Sequence, residues 1–164
     1  MMIDRLRALP ARELETVLVR GETPEPDGLA GWEFRGWNTP AFAKLLGIQE
    51  FVKGFYRSAN GRLYGYNRQP GKDRRFGFYL VEAVDAAARD NAYLHALLLD
   101  YGRGGGSALD PLNFLATRLR DYLVRVDPGS DDLLLGKAYV AAGPLRVPVS
   151  YFLLERLRPT EFRG

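Results

Sequence analysis

"QEFVKGFYRSANGRLYGYNR", Gln49 to Arg68, alternates apolar and polar residues with a period of two on both sides of "SANG". That period marks strands, because successive side chains of a strand point to opposite faces of a sheet. Asn60 and Gly61 tolerate positive φ, so the two halves, 49–57 and 62–68, are expected to pair as a hairpin.

The same period recurs on either side. Further strands are expected in "WEFRG" (32–36), "FGFYLVEAV" (76–84), "YLHALLLDY" (93–101), "RDYLVRV" (120–126), "LLLGKAYVAA" (133–142) and "VSYFLLERL" (149–157), with "DPGSDD" and "GPLRVP" as the turns between the last three. Before them, Ile3, Leu6, Leu9, Leu14, Val17 and Leu18 follow helical spacing, with a break at Pro10 and a stop at Gly21. "GETPEPDG" (21–28) reads as a linker, since its prolines continue neither a helix nor a sheet centre. "TPAFAKLLG" predicts a short helix after the first strand, capped by Asn38 or Thr39 and stopped at Gly47. "GRGGGSALDPLNFLATR" predicts a glycine loop followed by a short helix or irregular strand.

Eight strands in up-and-down order close most economically into an antiparallel barrel, because closure removes the exposed edges of an open sheet. The competing arrangement, a bent sheet with helices on one face, needs more helix after residue 40 than the pattern supplies. The expected fold is therefore mainly β. One domain is expected, made of an N-terminal helix and linker (1–28) and a barrel (29–164).

Composition narrows the function classes. The 164-residue chain has no cysteine and one histidine, which leaves no disulfide framework, thiol nucleophile or poly-histidine metal site. Its net charge of +3 comes mainly from dispersed arginines, with four lysines, and no face gathers enough of them to predict a nucleic-acid partner. The N-terminus lacks an uninterrupted apolar stretch, and no run approaches the ~20 residues of a membrane span. Cytoplasmic residence is the expectation.

"LAGWEFRG" (29–36) resembles the opening strand of lipocalin-like barrels, and "YFLLERL" (151–157) the closing one. The segment "LRDYLVRVDPGSDDLLLGKAYVAAG" (119–143) is similar to one in uncharacterised bacterial lipocalin-like (calycin-type) proteins. The resemblance implies an eight-stranded lipocalin-like barrel in which Arg156 of the last strand lies across Trp32 at the closed end. The helix after the first strand and Trp37 depart from that pattern.

Within "GWEFRGWN", alternation puts Trp32, Phe34 and Gly36 on one face and Glu33, Arg35 and Trp37 on the other. Trp32 and Phe34 are expected in the core and Trp37 beneath the 38–47 helix. The aromatic strands suggest a cavity for a small hydrophobic molecule, with hydroxyls from Tyr56, Tyr64, Tyr66, Tyr79, Tyr101 and Tyr122 orienting it. Lys53 shares a face with Phe51 and Phe55 and would be a counter-ion for an acidic or carbonyl end if that face is the inner one. Lys137 is expected outside. In "LRDYLVRV", Arg120 and Tyr122 are expected on the core side, with Asp121, Leu123, Arg125 and Asp127 on a wet face. Arg120 would hold a ligand carboxylate at the barrel mouth, or pair with Asp100 or Glu82.

His95, between Tyr93 and Leu97, is the remaining candidate for the pocket. Three functions remain open at this level. The leading one is binding of a small, largely apolar ligand in the barrel, without a cofactor or a metal. The second is a hydrolase or isomerase using His95 or a tyrosine as acid or base in the same cavity. The third is a filled barrel serving as an interaction module or homodimer.

Overall fold

The computed structural model describes residues 1–39, 47–106, 109, 111 and 116–164. The strands are β1 (Trp32–Asn38), β2 (Glu50–Arg57), β3 (Leu63–Arg68), β4 (Arg75–Ala83), β5 (Leu97–Asp100), β6 (Leu119–Arg125), β7 (Leu133–Ala142) and β8 (Leu145–Pro159). They form a closed antiparallel barrel in sequence order, with β8 returning to pair with β1. Every strand expected from the period-two pattern is present. The fifth is shorter than expected, since residues 93–96 form a turn rather than strand, and β8 begins four residues earlier.

The hairpin between β2 and β3 turns at Gly61, the only residue of "SANG" with positive φ (79°), while the Asn60 side chain accepts from the Arg62 amide at 2.9 Å. Three helices precede the barrel: α1 (Met2–Arg7), α2 (Ala11–Arg20) and α3 (Pro26–Leu29). Pro10 is the N-cap of α2 and so separates two helices, as the break in the pattern suggested. The expected linker contains α3, a single turn begun by Pro26, whose missing amide costs nothing at a helix start. The helix expected after β1 falls largely on 40–46, outside the described residues, as does most of the segment expected to follow the glycine loop.

Two apolar layers result, one inside the barrel and one on its outer wall. Inside, Phe34, Phe55, Tyr79, Leu99, Leu123, Leu134 and Leu154 are fully buried, and Leu29 of α3 joins them. Each such side chain contributes roughly 1.5–3 kcal/mol through burial. Outside, Leu14 and Leu18 of α2 and Ile3 and Leu6 of α1 cover Leu98, Tyr122, Val124, Leu135 and Leu153. Trp37 belongs to this outer layer, under α1, where the Arg7 guanidinium lies 5.2 Å from its ring.

Arg156 lies across Trp32, its guanidinium carbon 4.6 Å from the ring centroid and 5.1 Å from that of Phe34. The same side chain donates to the Gly28 carbonyl at 3.0 Å and to Asp132 at 2.5 Å. Strand β8, the turn leading into β7 and the chain entering β1 are thus pinned at one end, which α3 seals with Leu29.

Candidate functional site

Strand β2 places Phe51, Lys53 and Phe55 on the inward face, because Lys53 stands opposite Phe34 of β1 and Asn67 of β3. A cation on that face cannot reach water, and the Lys53 side chain is only 3% exposed. Strand β6 supplies the compensation: Asp121, on the same inward face as Leu119 and Leu123, brings Oδ2 to 3.2 Å from Lys53 Nζ. Lys53 also donates to Asn67 Oδ1 at 3.0 Å and to the Tyr101 hydroxyl. That hydroxyl donates in turn to Asp121 Oδ2 at 3.0 Å, while Asn67 Nδ2 donates to the Gly77 carbonyl at 2.9 Å.

All three ammonium protons therefore have acceptors. Around them stand four ring faces, with Nζ 4.8 Å from the centroid of Tyr79, 5.0 Å from Tyr101, 5.2 Å from Phe152 and 5.7 Å from Phe51. Such contacts strengthen on desolvation, to about 2 kcal/mol. The Phe51 and Phe152 rings meet edge to face at 5.9 Å and lie against glycines on neighbouring strands. A Cβ at Gly36 would come within 2.3 Å of the Phe51 ring, and one at Gly136 within 2.1 Å of the Phe152 ring. The glycines let these rings lie flat on the barrel wall.

Burial dominates the electrostatics. It pushes the Lys53 ammonium below its ordinary value, against the pull of Asp121, and pushes the Asp121 carboxyl up, against the pull of Lys53. Burial and then the Asp121 charge raise the Tyr101 hydroxyl far above the usual phenol range. Tyr79, whose hydroxyl donates to the Gly54 carbonyl at 3.0 Å, is raised in the same way. Neither phenol is poised to give up a proton near neutral pH.

Among the described residues three buried side-chain polar atoms lack a hydrogen-bond partner. Arg75 Nε is on the outer wall, beside the Tyr66 and Phe162 rings, while Asp121 Oδ1 and Ser150 Oγ are inside the barrel. Asp121 faces Ala138 of β7, and Ala138 faces Ser150 of β8, so the three side chains form one inward row across three strands. Ala138 leaves only a methyl group between the carboxylate and the hydroxyl.

The residues singled out from sequence divide by wall. Lys53, Tyr79 and Tyr101 come together inside. Tyr56, Tyr64 and Tyr66 lie on the outer face of the β2–β3 hairpin, where Phe162 from the C-terminal segment packs edge-on to Tyr56 at 4.9 Å and Tyr66 at 5.0 Å. Tyr66 donates to Glu33 at 2.9 Å, beside the bidentate Arg68 pair. Arg120 and Tyr122 also face outward, which reverses the expected facing of β6. Arg120 pairs with Asp90 and with Asp100, each at 3.2 Å, and the Tyr122 hydroxyl accepts from the Ala92 amide at 3.3 Å.

His95 sits outside the barrel in the turn before β5, its Nε2 2.9 Å from the Leu18 carbonyl of α2. Lys137 is outside as expected, bound to Glu15 and Tyr93 at 2.8 Å each. Asp121, Asn67 and Ser150 were not among the expected site residues. A lone cation between phenylalanines requires an inward acid, and Leu119-x-Asp121-x-Leu123 is the matching pattern in the sequence.

Two clefts of about 240 and 380 Å³ lie on the outer wall, one against α1 at Trp37 and Leu153, the other beside Arg35, Arg68 and Arg158. Among the described residues no group of three or more His, Asp or Glu side chains is placed to hold a metal. No helix is long and apolar enough to cross a membrane among these residues. Comparison with known proteins finds no matching family model, curated protein or solved structure.

Proposed function

We propose that the chain binds a small, largely apolar molecule inside its barrel, in the half away from Trp32 and Arg156. The observation that carries this reading is the inward row Asp121, Ala138, Ser150, with one buried carboxylate oxygen and one buried hydroxyl lacking partners among the described residues. Buried polar atoms are nearly always hydrogen-bonded, and two on one row mark where a guest's polar group would satisfy both. A closed barrel of eight strands has interior room for packed side chains or one small ligand. The leucine and aromatic half supports the first use near the sealed end; the small and polar residues support the second beyond it.

In this reading Lys53, Tyr101 and Tyr79 form the floor of the pocket, with Asn67 holding Lys53. Phe51 and Phe152 are its apolar walls. The ammonium is neutralised by Asp121 within the chain, so it orders the floor. An enzymatic reading through His95 draws no support from its place on the outer wall against α2.

The test is the thermal midpoint in the presence of linear alkyl compounds of increasing length. The midpoint is expected to rise with chain length up to a limit set by the barrel. Ser150→Leu, which fills the row beside Ala138, is expected to abolish the rise, whereas Ser150→Ala, which leaves the row open, keeps a smaller one. No rise with any chain length would favour the filled interaction module instead.

A further inference from the structure

Resting on that reading, we infer that the guest's polar end is a neutral hydroxyl, as on a long-chain alcohol, rather than a carboxylate or an amine. The inference comes from charge and from the two unpartnered atoms. Lys53 and Asp121 are 2% and 3% exposed and cancel each other's charge. Any ionic head placed beside them would be an unpaired buried charge, which costs far more than a neutral head. A carboxylate would meet Asp121 Oδ1, an acceptor with nothing left to donate, and Lys53 has no free proton to offer it, its three acceptors being Asn67, Tyr101 and Asp121. An ammonium would bring a second positive charge within the same aromatic enclosure.

A hydroxyl satisfies both atoms at once. It donates to Asp121 Oδ1 and accepts from Ser150 Oγ, which is buried and has a proton to give. The row geometry suits a group of that size. Two strand spacings separate the backbones of Asp121 and Ser150 by about 10 Å. Both side chains stand on the inward face, with only the Ala138 methyl on the strand between them. The hydrocarbon beyond the hydroxyl then lies against Phe51 and Phe152.

The experiment is calorimetric titration of the full chain with decanol, decanoate and decylamine at pH 7.5, with decanol below its solubility limit and the two ionic analogues below their micelle concentrations. Decanol is expected to bind at least about tenfold more tightly than either ionic analogue, the range of one buried hydrogen bond gained or lost. Ser150→Ala is expected to weaken decanol about five- to tenfold and to leave the thermal midpoint of the free protein nearly unchanged. Decanoate binding as tightly as decanol, or decanol binding indifferent to Ser150→Ala, would overturn the hydroxyl assignment while leaving a ligand-binding barrel. Binding by none of the three would overturn the cavity reading itself.

Discussion

Lys53 Nζ and Asp121 Oδ2 stand 3.2 Å apart inside the barrel, joined through the Tyr101 hydroxyl and closed off by aromatic rings. Strands β2 and β6 are not neighbours in the sheet, so this pair fixes opposite walls of the barrel against each other. Desolvating two charges costs several kcal/mol per ion, and the pairing offsets that cost only while both partners remain.

Removing one partner should therefore be far worse than removing both. Asp121→Leu is expected to lower the unfolding free energy by about 3–5 kcal/mol, and Lys53→Met by a similar amount, in urea denaturation. The double variant should recover most of the loss. Additive losses would show that the pair does not act as a unit.

At the sealed end, Arg156→Ala removes the cation over Trp32 and the donors to Gly28 and Asp132. A loss of about 2 kcal/mol is expected, with a shift of tryptophan emission as Trp32 gains contact with water. Arg156→Lys should restore only part, because an ammonium lacks the planar fork that makes both bonds and covers the ring.

Acid sensitivity should come from the outer wall. Burial pushes Glu33 up, but hydrogen bonds from Arg68, Arg158 and Tyr66 outweigh it and hold its carboxyl at about 2, against an ordinary 4.5. A carboxyl depressed by folding contributes stability that is present above pH 4.5 and is lost as pH falls toward 2. Wild type is expected to lose on the order of 2 kcal/mol across that window from this group. Glu33→Gln should be less stable at neutral pH and flatter between pH 4.5 and 2, as followed by chemical denaturation at each pH.

The N-terminal helices should loosen separately from the barrel. Glu15 of α2 accepts from Lys137 at 2.8 Å, from Tyr93 at 2.5 Å and from Tyr151, so one carboxylate ties the helix to β7, β8 and the turn before β5. Lys137→Met is expected to speed amide exchange across Ala11–Arg20 while leaving the exchange of β2 and β3 unchanged. Equal acceleration in both would mean that the helix and barrel open together.

The strands were legible because each carries the period of two, and the pin between Trp32 and Arg156 was legible through the resemblance of the first and last of them to those of lipocalin-like barrels. The inner site was only half legible. Choosing the inner face needs one wet face for contrast, and this barrel hides the contrast. On β6, Tyr122 and Val124 are buried beneath the N-terminal helices as fully as Leu123 is inside, so the outer face looked like core. On β2 and β3, Phe162 of the C-terminal segment shelters Tyr56 and Tyr66 in the same way. Asp121 then looked solvated because its face also carries Arg125 and Asp127, which belong to the strand end and the turn beyond it. Ser150 offered no signal beyond its place opposite a small residue.

Native mass spectrometry of the protein purified from its own cells tests the central claim most directly. The account predicts a population carrying one additional small mass, neutral and released on denaturation, that is missing from Ser150→Leu prepared in parallel. A bare chain in wild type, together with no gain in mass on adding decanol, would contradict a ligand-binding barrel.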